Sequence, residues 1–272
     1  MATVKFTKMH GLGNDYLFID CFRNEVPENL PELSKQMSDR HFGVGSDGIV
    51  LMMKPDDKKN DAKMRIFNSD GSEAEMCGNA SRCVAKYLYD NKMVVRKDMK
   101  IETLAGIIKP KIIKASKGKA TMVEVDMGVY GVRQLNAKIT VDGIEYIGND
   151  ISMGNPHFVI FVDDLNDVPI EKHGSLIEKH PMFPKKTNVE FVQVKSNTEV
   201  IMRVWERGSG VTLACGTGAA ATGVAAFLNK KTSNNITVHL LGGPLQIRVA
   251  DDKHVFKTGP AEKVFDGEYE WK

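Results

Sequence analysis

Two cysteines in this chain share a setting suited to moving protons. Cys77 stands in Cys77-Gly78-Asn79 and Cys215 in Cys215-Gly216-Thr217, and each tripeptide leads into a helical pattern, Ala80 to Asp90 and Gly216 to Asn229. The first turn of a helix leaves backbone N–H groups without partners and carries the positive end of the dipole. A thiol at that place is drawn toward thiolate, and the same N–H groups can hold a carboxylate. A thiolate beside a bound carboxylate can remove the proton from the adjoining α-carbon, and a thiol on the opposite side can return one and invert the centre. An isolated cysteine is most often an inert buried residue, but the repeated context argues against that for these two. Cys21 and Cys83 lack it and read as core residues. No Cys-x-x-Cys or histidine spacing accompanies any of the four, so no metal site is expected, zinc in particular.

The elements around the cysteines repeat as well. Apolar runs bounded by Gly, Asn and Asp predict strands at Tyr16 to Asp20, Ile49 to Met53, Met64 to Phe67, Val123 to Met127, Phe158 to Val162, Phe191 to Val194 and Val200 to Val204. Further helices are expected at Leu33 to Asp39 and Ser175 to Lys179, and the Ala-rich run after Cys215 suits a helix packed closely on all sides. Gly13-Asn14 precedes YLFID, and Gly154-Asn155 precedes, after Pro156, HFVIFVD. The two asparagines are 141 residues apart and the two cysteines 138, in the same order. IETLAG and VHLLGG then end at Gly106 and Gly243, 29 and 28 residues beyond their cysteines. Landmarks in register at similar separations indicate two copies of one α/β unit. Related copies commonly pack about a pseudo-twofold axis, which predicts that the two helix starts face each other. The segment Gly43-Val44-Gly45-Ser46-Asp47-Gly48 matches G-x-G-x-x-G but precedes a strand and opens no helix, so it reads as a tight turn rather than a dinucleotide site.

Composition narrows the class. The chain has 272 residues, 42% hydrophobic, with 37 basic and 35 acidic side chains and a formal charge of +2. That is enough for two ordinary cores, and no charge run suggests nucleic acid as a partner. The opening MATVKFTKMHGLGND has no apolar signal core, and no stretch approaches the roughly 18 apolar residues of a membrane span. A soluble, cytoplasmic protein without a membrane partner is the expectation.

The segments MHGLGNDY, FNSDGSEAEMCGNASRC, GNPHFVIFV, TNVEFVQV and WERGSGVTLACGTGAAA resemble, in order and spacing, the signature segments of the diaminopimelate epimerase family, from about residue 8 to residue 228. Proline racemases and the phenazine-type isomerases are related alternatives. The isomerases lack the thiol pair, and the racemases lack the Glu206-Arg207 and GNPH combination. The resemblance implies an α/β fold of two pseudo-symmetric domains, each a mostly antiparallel sheet wrapped around a central helix. One is expected over residues 1–126 with a returning strand in 261–272, the other over 127–260.

By the same resemblance, the enzyme converts LL-2,6-diaminopimelate to the meso isomer without a cofactor, on the route to lysine and peptidoglycan precursors. Cys77 and Cys215 fall on the family's acid/base thiols, with Cys77 the base toward the LL isomer and Cys215 toward the meso isomer. Gly78, Asn79, Gly216 and Thr217 fall on the carboxylate cradle. Asn14 and Glu206 fall on the residues that hold the reacting ammonium group, and Asn68, Asn155, Asn188 and Arg207 on those that grip the distal end. His157 and Tyr16 fall on the pocket wall. Taken alone, Asn14, Asn68 and Asn155 would read as turn residues, Glu206 and Arg207 as surface charges, and His157 as a core histidine. Pyridoxal phosphate is not expected, because no lysine stands in a recognisable site for it. The expected partners are a small amino acid and a second copy of the chain in a homodimer, although the residues themselves do not settle the oligomeric state. The chain departs from common family residues at Gly48, where some members carry Gln, at Val211, where Glu is frequent, and at Tyr16, where Phe is also found. A thiol redox protein and a non-catalytic amino-acid-binding module are the rivals from other classes.

Overall fold

The structure, a computed structural model, describes residues 2–271. The chain divides into two compact units, residues 1–125 with 259–272 and residues 126–258. The first unit holds β1 (Ala2–Gly11), β2 (Asn14–Asp20), α1 (Leu30–Ser38), β3 (Gly48–Met53), β4 (Ala62–Asn68), β5 (Glu73–Ala74), α2 (Gly78–Asp90), β6 (Ile101–Thr103), β7 (Gly106–Ile108) and β8 (Lys111–Ser116). The chain passes to the second unit within β9 (Lys119–Val129). There follow β10 (Gly131–Val141), β11 (Ile144–Ser152), β12 (Pro156–Val162), α3 (Ile170–Glu178), β13 (Asn188–Ser196), β14 (Glu199–Glu206), β15 (Gly210–Val211), α4 (Gly216–Leu228), β16 (Asn235–Leu240), β17 (Gly243–Val249) and β18 (His254–Pro260). The last strand, β19 (Glu262–Trp271), pairs antiparallel with β1.

The two units use one wiring. In the first, β1–β2 is antiparallel, β2–β3 parallel, β3–β4 antiparallel, β4–β5 antiparallel, β4–β6 parallel and β6–β7 antiparallel. The series β11, β12, β13, β14, β15, β16 and β17 repeats those six relations in order. In each unit a parallel pair is joined through a short helix, α1 or α3, and the principal helix, α2 or α4, follows the two-stranded bridge. The registers align residue by residue. Phe18, four residues after Asn14, pairs with Val50, and Val159, four residues after Asn155, pairs with Glu190.

Central strands are covered on both faces and so read as unbroken apolar runs rather than alternations. Leu17, Ile19, Ile49 and Leu51 pack with Leu33 and Met37 of α1. In the second unit, Phe158, Ile160, Val189 and Phe191 pack with Ile177 of α3. The opposite face receives the principal helix: α2 touches β1 and β2, and α4 touches β11 to β14, β16 and β17. Residues Gly218 to Ala226 are all buried, as expected for a helix of small residues enclosed by a sheet. Cys83 is buried in α2, whereas Cys21 is only half-buried at the margin of the α1 cluster, less deep than its sequence context suggested. Among the described residues no helix is long and apolar enough to cross a membrane.

Candidate active site

In the first unit a tight hairpin delivers Asn14. Leu12 and Gly13 both take positive φ, 60° and 86°, between the paired residues Gly11 and Asn14, which is the primed turn that matches strand twist. Asn14 Nδ2 donates to Asp47 Oδ2 at 2.7 Å, and its Oδ1 accepts from Asn79 Nδ2 at 3.2 Å and from the Cys77 thiol at 3.5 Å. Asp47 is itself held by Arg40 at 3.0 Å. Asp47 sits in the Gly-rich turn and is a support that sequence reasoning passed over. Its signal was a charged residue inside a tight turn, which alone carries no role. The Tyr16 hydroxyl lies beside Asn14 and Cys77, and burial first, then the nearby Cys77, push its pKa well up.

Cys77 is the N-cap of α2, with extended backbone and its sulfur accepting from Ala80 N at 3.5 Å. Gly78 and Asn79 supply the leading amides. Behind them lies Arg82, fully buried, donating from Nη1 to Asn79 Oδ1 at 2.9 Å and from Nε to Pro260 O at 3.1 Å. The Asn68 side chain donates to Ser72 Oγ at 3.0 Å and its carbonyl accepts from Ser34. Gly48 opposes Asn68 across β3 and β4. A Cβ on Gly48 would lie 2.1 Å from Phe67 O. The departure at Gly48 is therefore more than a missing side-chain contact, because this backbone admits no side chain there.

In the second unit the turn at Gly154, φ 93°, precedes Asn155. Asn155 Nδ2 donates to Thr217 Oγ1 at 3.3 Å, and its Oδ1 lies 3.1 Å from His157 Nε2. His157 is fully buried and its Nδ1 lies 2.7 Å from Glu190 Oε1. Cys215 caps α4, accepting from Gly218 N at 3.4 Å, with Thr217 Oγ1 3.7 Å from its sulfur. Burial, then the carboxylates of Glu206 and Glu190, push the Cys215 thiol well above its ordinary range. Asn188 donates to Pro156 O and accepts from the Arg207 backbone N–H, both at 2.9 Å. Glu206 accepts from Thr212 Oγ1, and the exposed Arg207 side chain donates to Lys185 O at 3.1 Å. Val211 is exposed in β15 opposite Trp205.

Asn14, Tyr16, Asn79 and Cys77 thus form one connected group, and Asn155, His157, Thr217 and Cys215 another. Asn188 ties to Arg207 beside the second group, and the Asn68 side chain bonds with Ser72 in its own turn. Glu190 was missed altogether. Its signal was an acidic residue inside an otherwise apolar strand, which drew the expected strand start past it to Phe191. Among the described residues no group of three or more His, Cys, Asp or Glu side chains could hold a metal ion.

Comparison with known proteins gives a consistent result. The family described as diaminopimelate epimerase matches residues 6–132 and 150–264. A diaminopimelate epimerase from Pelotomaculum thermopropionicum is 51% identical, over 98% of this chain and 99% of the relative, and one from Methanococcus maripaludis is 49% identical over 97% and 99%. Among solved structures, a Bacillus anthracis phenazine biosynthesis protein of the PhzF family has a TM-score of 0.77 at 15% identity, covering 100% of both chains. A hydroxyproline epimerase from Agrobacterium vitis has a TM-score of 0.72 at 17% identity, covering 99% of this chain and 91% of that one. At such identities these two speak to the fold alone.

Proposed function

Because the chain belongs to the diaminopimelate epimerase family, we propose that it interconverts LL- and meso-diaminopimelate by a two-thiol mechanism, in the supply of lysine and peptidoglycan precursors. The observation that carries the reading is that Cys77 and Cys215 are the N-caps of the two equivalent helices α2 and α4. One thiol removes the α-proton as thiolate while the other, as thiol, delivers a proton to the other face of the carbon. The leading amides of the helices, at Gly78, Asn79, Gly216 and Thr217, receive the charge that builds on the carboxylate. Asn14 and Glu206 offer acceptors to the reacting ammonium, and Arg207 offers a guanidinium to the distal carboxylate. Asn68, Asn155 and Asn188 complete the grip on the distal end.

The test is incubation with LL-diaminopimelate in deuterated water. Deuterium entering the α-carbon together with formation of the meso isomer supports the reading. Proline turnover at a comparable rate would instead favour a proline racemase. Proline and alanine offer Arg207 and the distal asparagines no second head group to hold, so they should react much more slowly than diaminopimelate.

A further inference from the structure

We propose that Glu190 is a positioning residue for proton transfer at Cys215: through His157, Asn155 and Thr217 it sets which way the hydrogen bonds run to the Cys215 sulfur. The inference rests on the reading of Cys215 as an acid/base thiol. Its first support is the comparison of the two units. Position 190 corresponds in register to Val50, which is fully buried. The fold is therefore satisfied by valine at this place, and a fully buried carboxylate there is not a structural necessity.

The second support is the chain of contacts. Glu190 Oε1 to His157 Nδ1 is 2.7 Å, His157 Nε2 to Asn155 Oδ1 3.1 Å, Asn155 Nδ2 to Thr217 Oγ1 3.3 Å, and Thr217 Oγ1 to Cys215 Sγ 3.7 Å. An amide presents donors on one side and acceptors on the other, so Asn155 transmits polarity. With its oxygen toward His157, Nε2 must carry a proton, Thr217 accepts from Nδ2, and the threonine O–H is left to donate to the sulfur. That arrangement suits a thiolate. With the amide reversed, Nε2 is an acceptor, Nδ1–H donates to the Glu190 carboxylate, Thr217 donates to Asn155, and the sulfur is left to donate its own S–H. That arrangement suits a thiol. Glu190 is the end of the chain, and its protonation decides which nitrogen of His157 is a donor. The carboxylate also lies close under the sulfur. A single point, the Cβ position of Gly218, is 2.7 Å from Glu190 Oε1 and 3.1 Å from Cys215 Sγ, so no more than the sum of the two separates them. Among the described residues Glu190 Oε2 is buried with no hydrogen-bond partner, which leaves His157 as the hydrogen-bonding outlet of this carboxylate.

A double-mutant cycle distinguishes transmission along the chain from a direct field. Alkylation of Cys215 by iodoacetamide is followed against pH by peptide mass spectrometry, with Cys77 in the same sample as control, in wild type, Glu190→Gln, Thr217→Val and the double variant. The expected result is about a tenfold change in the Cys215 rate at fixed pH on Glu190→Gln, no change at Cys77, and no further change when Thr217 is already valine. An unchanged Cys215 rate, or an equal effect in both backgrounds, overturns the proposal. Glu190→Val is the second variant, with the residue found at the equivalent position. A spectroscopic measurement stands beside these: in histidine ¹⁵N spectra, the division of the His157 proton between Nδ1 and Nε2 should differ between wild type and Glu190→Val, which offers Nδ1 no partner, and an unchanged ring refutes the coupling. None of these readings needs substrate, so they stand apart from the deuterium test, whose failure would remove the epimerase reading instead.

Discussion

A methyl group added at Gly218 tests whether the geometry beneath Cys215 matters for chemistry beyond its part in stability. The new Cβ would lie 2.7 Å from Glu190 Oε1, 3.1 Å from Cys215 Sγ and 3.3 Å from Cys215 Cβ, all inside the 3.4 Å at which ordinary contact begins. Overpacking of this kind costs about 1–3 kcal/mol, and alanine in a helix recovers about 1 kcal/mol relative to glycine. The net loss for Gly218→Ala is then about 0–2 kcal/mol, a fall in melting temperature of at most about 8 °C. Gly223→Ala is the matched control. It lies on the same helix, with its Cβ 2.5 Å from Ile247 Cγ2 and 3.2 Å from Ile247 Cβ, and touches no residue of the candidate site. The two should melt within a few degrees of each other. Displacing the sulfur should cost Gly218→Ala about 10²-fold in kcat/KM for diaminopimelate, whereas Gly223→Ala should keep wild-type turnover. Paired melting curves and epimerisation assays decide the matter, and equal activity in the two variants would refute the reasoning.

The thiols themselves should separate capping from catalysis. Cys77→Ser and Cys215→Ser keep an N-cap acceptor and should melt as wild type, while the alanine variants lose about 1 kcal/mol each; all four should lose at least about 10²-fold in epimerisation, and a fully active serine variant would overturn the two-thiol mechanism. Alanine is thus not neutral at these helix starts, because each sulfur accepts a backbone N–H. In α2, burial pushes the Cys83 thiol from 9.0 up to about 12. The native state therefore holds a proton that the unfolded chain releases above about pH 9, and the stability it contributes is complete below that pH and is lost as pH rises toward 12. Urea unfolding at pH 8, 9 and 10 should show a decline that is shallower in Cys83→Ala by up to about 1.4 kcal/mol per pH unit, and identical slopes would show that the shift is absent.

What the residues disclosed, and what they concealed, has physical causes. The duplicated Gly-Asn and Cys-Gly landmarks were legible because tight turns and helix starts demand particular residue types over short spans. Helix limits were harder to place. The first helix begins at Leu30 rather than Leu33, since Pro31 is tolerated in a first turn where no intrahelical N–H is needed. The third begins at Ile170 rather than Ser175, since Gly174 looks like a breaker but makes room for Trp205, whose Cβ lies 2.6 Å from the glycine's would-be Cβ. Glu190 was concealed for a different reason. Its partner His157 is 33 residues away, and only the parallel register of β12 and β13 brings them together.

The pairing of β1 with β19 has a consequence for the order in which the protein is made. The second unit is one continuous stretch, but the first needs residues 259–272 as well as 1–125. At about 5–20 residues per second, β1 leaves the ribosome roughly 10–50 s before its neighbour β19 exists. Through that interval one edge of β1 stands open, a template for wrong pairing with another nascent chain. Lys5 and Lys8 lie along this strand, and in the finished protein Lys5 makes an exposed 3.6 Å ion pair with Glu268, worth little to stability. Charges of that kind on an unpaired edge oppose aggregation, so the value of Lys5 lies in the time before the fold is complete.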